Sequence, residues 1–116
     1  MQDTAIEKSK QHILIEIIDY AYNSITSKTI IRKTTGNISI TAFDNGMMLP
    51  ETFFAFDMFV QIIEGDAEIV IDKHSILLKT GQIIIVPAHA PHFIKANKRF
   101  KMISMVIKSG YEEYTF

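Results

Sequence analysis

The most informative stretch of this chain is Gly81-Gln-Ile-Ile-Ile-Val-Pro87-Ala-His89-Ala-Pro91-His92. A glycine opens it, an apolar run suited to a buried strand follows, and a proline, which cannot continue a central strand, closes that run. His92 then begins a new apolar segment, where a strand can carry its side chain into the interior of a β-structure. The stretch therefore predicts two short strands joined by a proline-bounded turn, with a histidine at the start of the second.

Turn residues punctuate the chain on both sides of this stretch. Gly36, Gly46 and Gly65 each lie among Asn, Asp or Thr residues between runs rich in Ile, Val and Thr. About eight or nine short strands result. The clearest of them are predicted at residues 25–33, 38–43, 56–63, 67–71, 75–78, 82–86, 92–96 and 100–107. This spacing, without intervening helices, indicates an all-β sandwich or barrel rather than a parallel α/β fold.

The N-terminal part of the chain has a different pattern. Its apolar residues fall at Ile13, Leu14, Ile17, Ile18 and Ala21. This spacing predicts a short helix within residues 12–22, although the β-branched side chains would also suit a strand. We therefore divide the chain into an N-terminal segment, residues 1–22, and a β-domain, residues 23–116.

Composition narrows the class of protein. A chain of 116 residues is the size of one domain, and a net charge of −1 argues against a nucleic-acid partner, which needs a basic surface. The chain has no cysteine, which excludes disulfides, Cys-ligated zinc and thiol nucleophiles, and suits a reducing compartment. No run is long enough to span a bilayer or to serve as a secretion signal. We expect a cytoplasmic protein that binds neither membrane nor nucleic acid.

Both faces of the predicted strand 56–63 are apolar. In a regular strand Val60 and Ile62 share one face, whereas Phe59 and Ile63 share the other with Asp57. A bulge would reverse the direction of Asp57. Because a barrel in water needs only one apolar face, the second one indicates a covered surface, most simply the interface of a homodimer.

The stretch that begins at Gly81 resembles the second motif of the cupins, which has the form G-x5-P-x-G-x2-H-x3-N. Gly81, Pro87 and His92 match this motif in type and spacing. His89 stands where the motif has its glycine, and Ala96 stands where it has its asparagine.

The first cupin motif, G-x5-H-x-H-x3,4-E-x6-G, is degenerate in this chain. Its closing glycine matches Gly65, but its glutamate falls on Met58, and its two histidines fall near Thr52 and Phe54. The resemblance therefore implies a cupin that has lost three of the residues with which this family usually binds a metal.

A closer similarity is to a group of short bacterial cupins without an assigned function. The matching segments are Ser27-Lys28-Thr29, Ala42-Phe43-Asp44-Asn45-Gly46, Phe56-Asp57, Pro87-Ala88, Pro91-His92 and Arg99-Phe100-Lys101-Met102. In the loop that precedes Phe56, Glu51 matches the pattern of this group, but Thr52 replaces its histidine. The resemblance implies a cupin-type antiparallel β-barrel or jelly roll of the RmlC-like kind.

The leading functional interpretation is a small organic ligand held at the mouth of the barrel, without a complete metal site and without a resident cofactor. The loop of residues 47–54 is unusually apolar, as the wall of a small-molecule pocket would be. The candidate ligand-binding residues are His92, His89, Glu51, Thr52, Phe54, Met58 and Val60.

Two other interpretations stay open at this stage. One is a metal-dependent cupin enzyme, such as a dioxygenase or an isomerase, that holds iron, nickel, manganese or zinc. Its candidate ligands are His92, His89, Glu51 and Asp57, since imidazole and carboxylate suit such metals. The other is a barrel that binds no ligand and acts through its dimer surface. The sequence does not name a substrate or decide whether the protein is an enzyme.

Overall fold

Eight antiparallel strands make up about half of the residues that the computed structural model describes, which are residues 6–108. The strands are β1 (Ile25–Lys33), β2 (Gly36–Phe43), β3 (Met58–Glu64), β4 (Ala67–Ile71), β5 (His74–Leu78), β6 (Ile83–Val86), β7 (His92–Lys95) and β8 (Phe100–Ile107). They differ from the strands predicted from sequence only at their ends. The all-β fold class is therefore confirmed.

The strands form two sheets that pack face to face. The large sheet has the order β1-β2-β8-β3-β6, and the small sheet has the order β5-β4-β7. Their inner faces bury one core, in which the Phe43 and Phe100 rings stack with centroids 4.5 Å apart. Removing each such side chain from water contributes about 1.5–3 kcal/mol to stability. This core holds the two sheets together as a jelly roll.

The direction of the β3 side chains follows a regular strand. Met58, Val60 and Ile62 are buried in the core, so Phe59 lies on the outer face of the large sheet. A bulge does occur, but it lies at the end of β3, where the pairing with β8 shifts after Ile62. It therefore leaves Asp57, at the other end of the strand, pointing away from the core.

The β3–β4 hairpin turns at Gly65, as predicted. Its φ of +82° lies in the left-handed region that favours glycine. A Cβ atom built there would lie only 2.7 Å from the carbonyl oxygen of Arg99. Any other residue would therefore push this hairpin away from the β7–β8 turn.

The helix predicted within residues 12–22 is reduced to one 3-10 turn, Leu14–Glu16. No side chain caps its first turn, and the β-branched isoleucines around it favour helix weakly. Tertiary packing decides the conformation instead, since Ile17 and Ile18 pack on the outer face of the large sheet around Ile40. Within residues 6–108, no helix is long enough to cross a membrane.

A polar cluster joins the N-terminal segment to the large sheet. The Tyr20 hydroxyl donates to Glu64 Oε1 at 2.7 Å, and Lys101 Nζ lies 3.8 Å from the same oxygen. Lys101 also donates to the carbonyl of Ile15, and the Arg99 guanidinium lies 4.6 Å from the centre of the Tyr20 ring. Burial, together with the hydrogen bond to Glu64, raises the pKa of Tyr20 well above its usual value.

Asp44 organises an adjoining set of contacts that shares Arg99 with this cluster. Its carboxylate accepts hydrogen bonds from the Asn23 backbone N–H at 2.8 Å and from Arg99 Nη2 at 2.9 Å. These two hydrogen bonds hold the pKa of Asp44 below its usual range, and the bond from the Asn23 amide has the larger effect. The neighbouring Asn45 side chain accepts the backbone N–H of Arg99 at 2.8 Å. The Asp-Asn pair thus connects the residues before β1 with the β7–β8 turn.

We expect Tyr20→Phe to flatten the alkaline pH dependence of stability. Because folding raises the pKa of Tyr20, the stability that this group contributes is present below the ordinary tyrosine pKa of about 10 and is lost as pH rises above it. Between about pH 9 and about pH 11, the free energy of unfolding should therefore fall more steeply in the wild type than in the variant. Urea titrations followed by circular dichroism measure both slopes.

The matched control is Tyr22→Phe, since Tyr22 is 85% exposed. It should keep the wild-type slope. Equal slopes for Tyr20→Phe and the wild type would show that the contact between Tyr20 and Glu64 does not stabilise the fold.

Candidate functional site

The loop that follows β2 pairs with β7 and behaves as an extra strand of the small sheet. Thr52 and His92 exchange two backbone hydrogen bonds of 2.9 Å, and the Leu49 N–H donates to the Ile94 carbonyl at 3.0 Å. Backbone atoms alone make these bonds, so the pairing requires no particular polar side chain in the loop. It brings the apolar loop against the first residue of β7.

A cavity of about 90 Å³ lies between this loop and the inner ends of β3, β7 and β8. We call it the loop cavity. It is lined by Leu49, Pro50, Thr52, Phe54, Met58, His92, Phe93, Ile94 and Met102. Only one imidazole and one hydroxyl interrupt its apolar wall, and no lining residue carries a fixed charge.

His92 is the buried polar side chain of this cavity. It is 3% exposed, and its Nδ1 lies 3.0 Å from the carbonyl oxygen of Ala90. Since a carbonyl oxygen only accepts, Nδ1 carries a hydrogen and donates it. The Phe54 ring packs against the imidazole in a tilted arrangement, with ring centroids 5.5 Å apart and ring planes inclined by 54°. These two contacts hold the ring of His92 in one orientation.

The structure brings together the four positions at which the cupin resemblance expects metal ligands. Thr52, Phe54, Met58 and His92 all line the loop cavity. Three of these side chains are poor ligands for a divalent transition metal, which takes imidazole and carboxylate. Among residues 6–108, no three His, Cys, Asp or Glu side chains converge on one point. The donor set at this position therefore does not fit a resident metal.

The other predicted site residues lie elsewhere. Glu51 is exposed and does not line the loop cavity, and Val60 is fully buried in the core. His89 and Asp57 line a separate groove of about 620 Å³ on the outer face of the large sheet. The set His92, His89, Glu51 and Asp57, considered as metal ligands, is therefore not brought together.

The separate groove, which we call the outer groove, has an apolar floor. It is lined by Ala55, Phe56, Asp57, Phe59, Ile85, Ala88, His89, Met105 and Ile107. Asp57 Oδ1 accepts the Ala88 N–H at 2.8 Å, which shapes the turn after β6. His89 adopts a φ of +68° in this turn, and this left-handed conformation explains why the cupin motif has a glycine there.

Sequence reasoning missed several residues of the loop cavity, namely Leu49, Pro50, Phe93, Ile94 and Met102. The apolar character of the loop was a signal for the first two. Met102 comes from β8, which is distant in sequence from the loop, so only the strand pairing places it in the wall.

Solved structures of similar fold cover most of the chain. A conserved protein of unknown function from Streptococcus pyogenes is 29% identical, with a TM-score of 0.85, over 90% of this chain and 91% of that one. A cupin superfamily protein from Desulfitobacterium hafniense is 25% identical, with a TM-score of 0.86, over 94% of this chain and 100% of that one.

A third similar structure is a cupin 2 conserved barrel domain protein from Leptotrichia buccalis, which is 26% identical with a TM-score of 0.79. The match covers 82% of this chain and 46% of that one. No protein-family model and no curated protein matches the chain. The two antiparallel sheets, the motif that begins at Gly81 and these structural likenesses together identify the chain as a small cupin domain.

Proposed function

We propose that this protein binds a small organic molecule in the loop cavity, without a resident metal. The observation that carries the proposal is the composition of the cavity at the four positions where cupins bind metals. A mostly apolar wall with one buried imidazole is the usual make-up of a small-molecule site. An enzyme that depends on a metal is disfavoured because Thr52, Phe54 and Met58 supply no imidazole or carboxylate at those positions.

We also propose that the protein is a cytoplasmic homodimer. Support for the compartment is the absence of cysteine. Support for the dimer is the part of the outer face of the large sheet that residues 6–108 leave uncovered. There Ile83 and Ile85 are 53% and 49% exposed on β6, which is an edge strand, and Phe59 lies beside them on β3. A second copy of the chain is the proposed partner, because in a two-fold symmetric dimer the same apolar surface of each copy packs against that of the other.

We expect a fragment screen to find ligands for the loop cavity. With ¹³C-labelled methionine methyl groups, a bound ligand should shift the resonances of Met58 and Met102, which line this cavity, but not that of Met105 in the outer groove. Thr52→Phe should weaken such a ligand at least tenfold, about 1.4 kcal/mol, because the larger side chain occupies the rim.

Thr34→Phe is the matched control, since it adds the same ring to an exposed turn between β1 and β2. It should leave the affinity unchanged. A screen of charged, polar and apolar fragments that shifts only Met105, or no methionine, would contradict the proposed function.

We expect a metal site to appear when the missing ligands are restored. Thr52→His should raise the affinity for nickel, and the double variant Thr52→His/Phe54→His should bind it at least tenfold more tightly than the wild type, about 1.4 kcal/mol. The reason is that both positions share the loop cavity with His92. Calorimetric titration with nickel measures the gain.

The control carries two histidines at the neighbouring exposed positions, Glu51→His/Phe53→His, which do not line the cavity. If a folded Thr52→His/Phe54→His variant binds nickel no better than this control, the alignment of the loop with the first cupin motif is wrong.

We expect light scattering to give twice the chain mass of 13.2 kDa at micromolar concentration. Ile85→Lys should produce monomers, because it buries an unpaired charge in the apolar interface while leaving the core untouched. Leu77→Lys, at a residue that is 56% exposed on the small sheet, should remain dimeric. A monomeric wild type would overturn the dimer proposal.

A further inference from the structure

The tautomer of His92 determines what the loop cavity offers to a ligand. Nδ1 donates its hydrogen to the Ala90 carbonyl, so in the neutral imidazole Nε2 carries a lone pair and can only accept. Among residues 6–108, Nε2 has no hydrogen-bond donor. A buried acceptor without a donor destabilises a protein, and His92 is 97% buried. The cavity therefore favours a ligand that brings an O–H or N–H group.

The rest of the wall excludes charge. None of the nine lining residues has a fixed charge, and Thr52 is the other polar one. A carboxylate or ammonium ligand would lose its hydration and gain no counter-charge, which is unfavourable. The wall therefore favours an uncharged ligand.

The size and shape of the wall favour a small ring. The cavity volume of about 90 Å³ is below that of the ~150 Å³ apolar cavity that holds benzene in another protein, so it has room for no more than one ring, part of which would lie at the exposed rim. The Met58 and Met102 thioethers suit the edge of an aromatic ring. The tilted Phe54 ring beside His92 offers a second aromatic contact.

We propose that the ligand is an uncharged aromatic molecule of one ring, such as a phenol or a pyrrole, that donates one hydrogen bond to Nε2 of His92. This inference rests on the proposed function, and it names the chemical class of the ligand and its polar anchor.

Phenol and toluene form the matched probe pair, because a methyl group replaces the hydroxyl at nearly constant shape. Benzoate is the charged probe. Titrations in mildly alkaline buffer, where an ordinary imidazole is neutral, follow the methyl resonances of Met58 and Met102 for occupancy. The ¹⁵N resonance of His92 Nε2 reports whether its lone pair accepts a hydrogen bond.

Phenol should shift both methyl groups and the Nε2 resonance, whereas toluene should leave Nε2 unchanged. His92→Phe keeps a ring and removes the acceptor, so it should lower the phenol-to-toluene affinity ratio about threefold to tenfold. The wild-type ¹⁵N measurement tests the hydrogen bond independently, should this variant fold poorly.

The outcomes separate this inference from the proposed function. Three results would overturn the ligand class. They are equal phenol-to-toluene affinity ratios in the wild type and His92→Phe, an unchanged Nε2 resonance when phenol binds, and tighter binding of benzoate than of phenol. Each of these results would leave the cavity as a binding site if the fragment screen has found a ligand there. If neither the three probes nor any fragment of the wider screen shifts the methyl resonances of Met58 and Met102, both proposals are overturned.

Discussion

The backbone pairing of the loop with β7 is the constraint on which the candidate site depends. Ala96 exchanges hydrogen bonds of 2.8 Å with Gly46 and Met47 at one end, and His92 exchanges two with Thr52 at the other. The loop thereby covers the β7 edge of the small sheet, and it places Leu49 and Phe54 in the wall of the loop cavity. Since these bonds join backbone atoms, the pairing does not depend on the metal ligands that the cupin resemblance expects at Thr52 and Phe54.

The loop cavity has Thr52, Phe54 and Met58 at positions where the cupin resemblance expects metal ligands. A set of imidazoles and a carboxylate needs a cation to offset the loss of hydration on burial. Phe54 and Met58 create no such need, and both add apolar surface to the cavity, Met58 from the core and Phe54 from the exposed loop. His92 remains, and the Ala90 carbonyl satisfies one of its ring nitrogens. The other nitrogen is the polar group around which ligand recognition is proposed.

The outer face of the large sheet is largely apolar, and within residues 6–108 the N-terminal segment covers only part of it. The N-terminal segment packs over β1, β2 and the adjoining part of β8, where Tyr20 and Glu64 secure it. The remaining part, around Phe59 and Ile85, contains the outer groove with His89 at its rim. The proposed dimer surface therefore lies next to the part of the outer face that the N-terminal segment covers. It is on a different face of the protein from the loop cavity.

By itself, the sequence determined the strands, the turns and the two sides of β3, because alternation and turn residues act over a few neighbouring positions. The cupin spacing also predicted Thr52, Phe54, Met58 and His92 as one group, and all four line the loop cavity. Only the tertiary structure decided the rest. Packing against the large sheet, rather than local propensity, set the N-terminal conformation. The pairing of strands distant in sequence placed Met102 in the cavity wall and directed His89 to the opposite face, and such long-range contacts leave no local periodicity to detect.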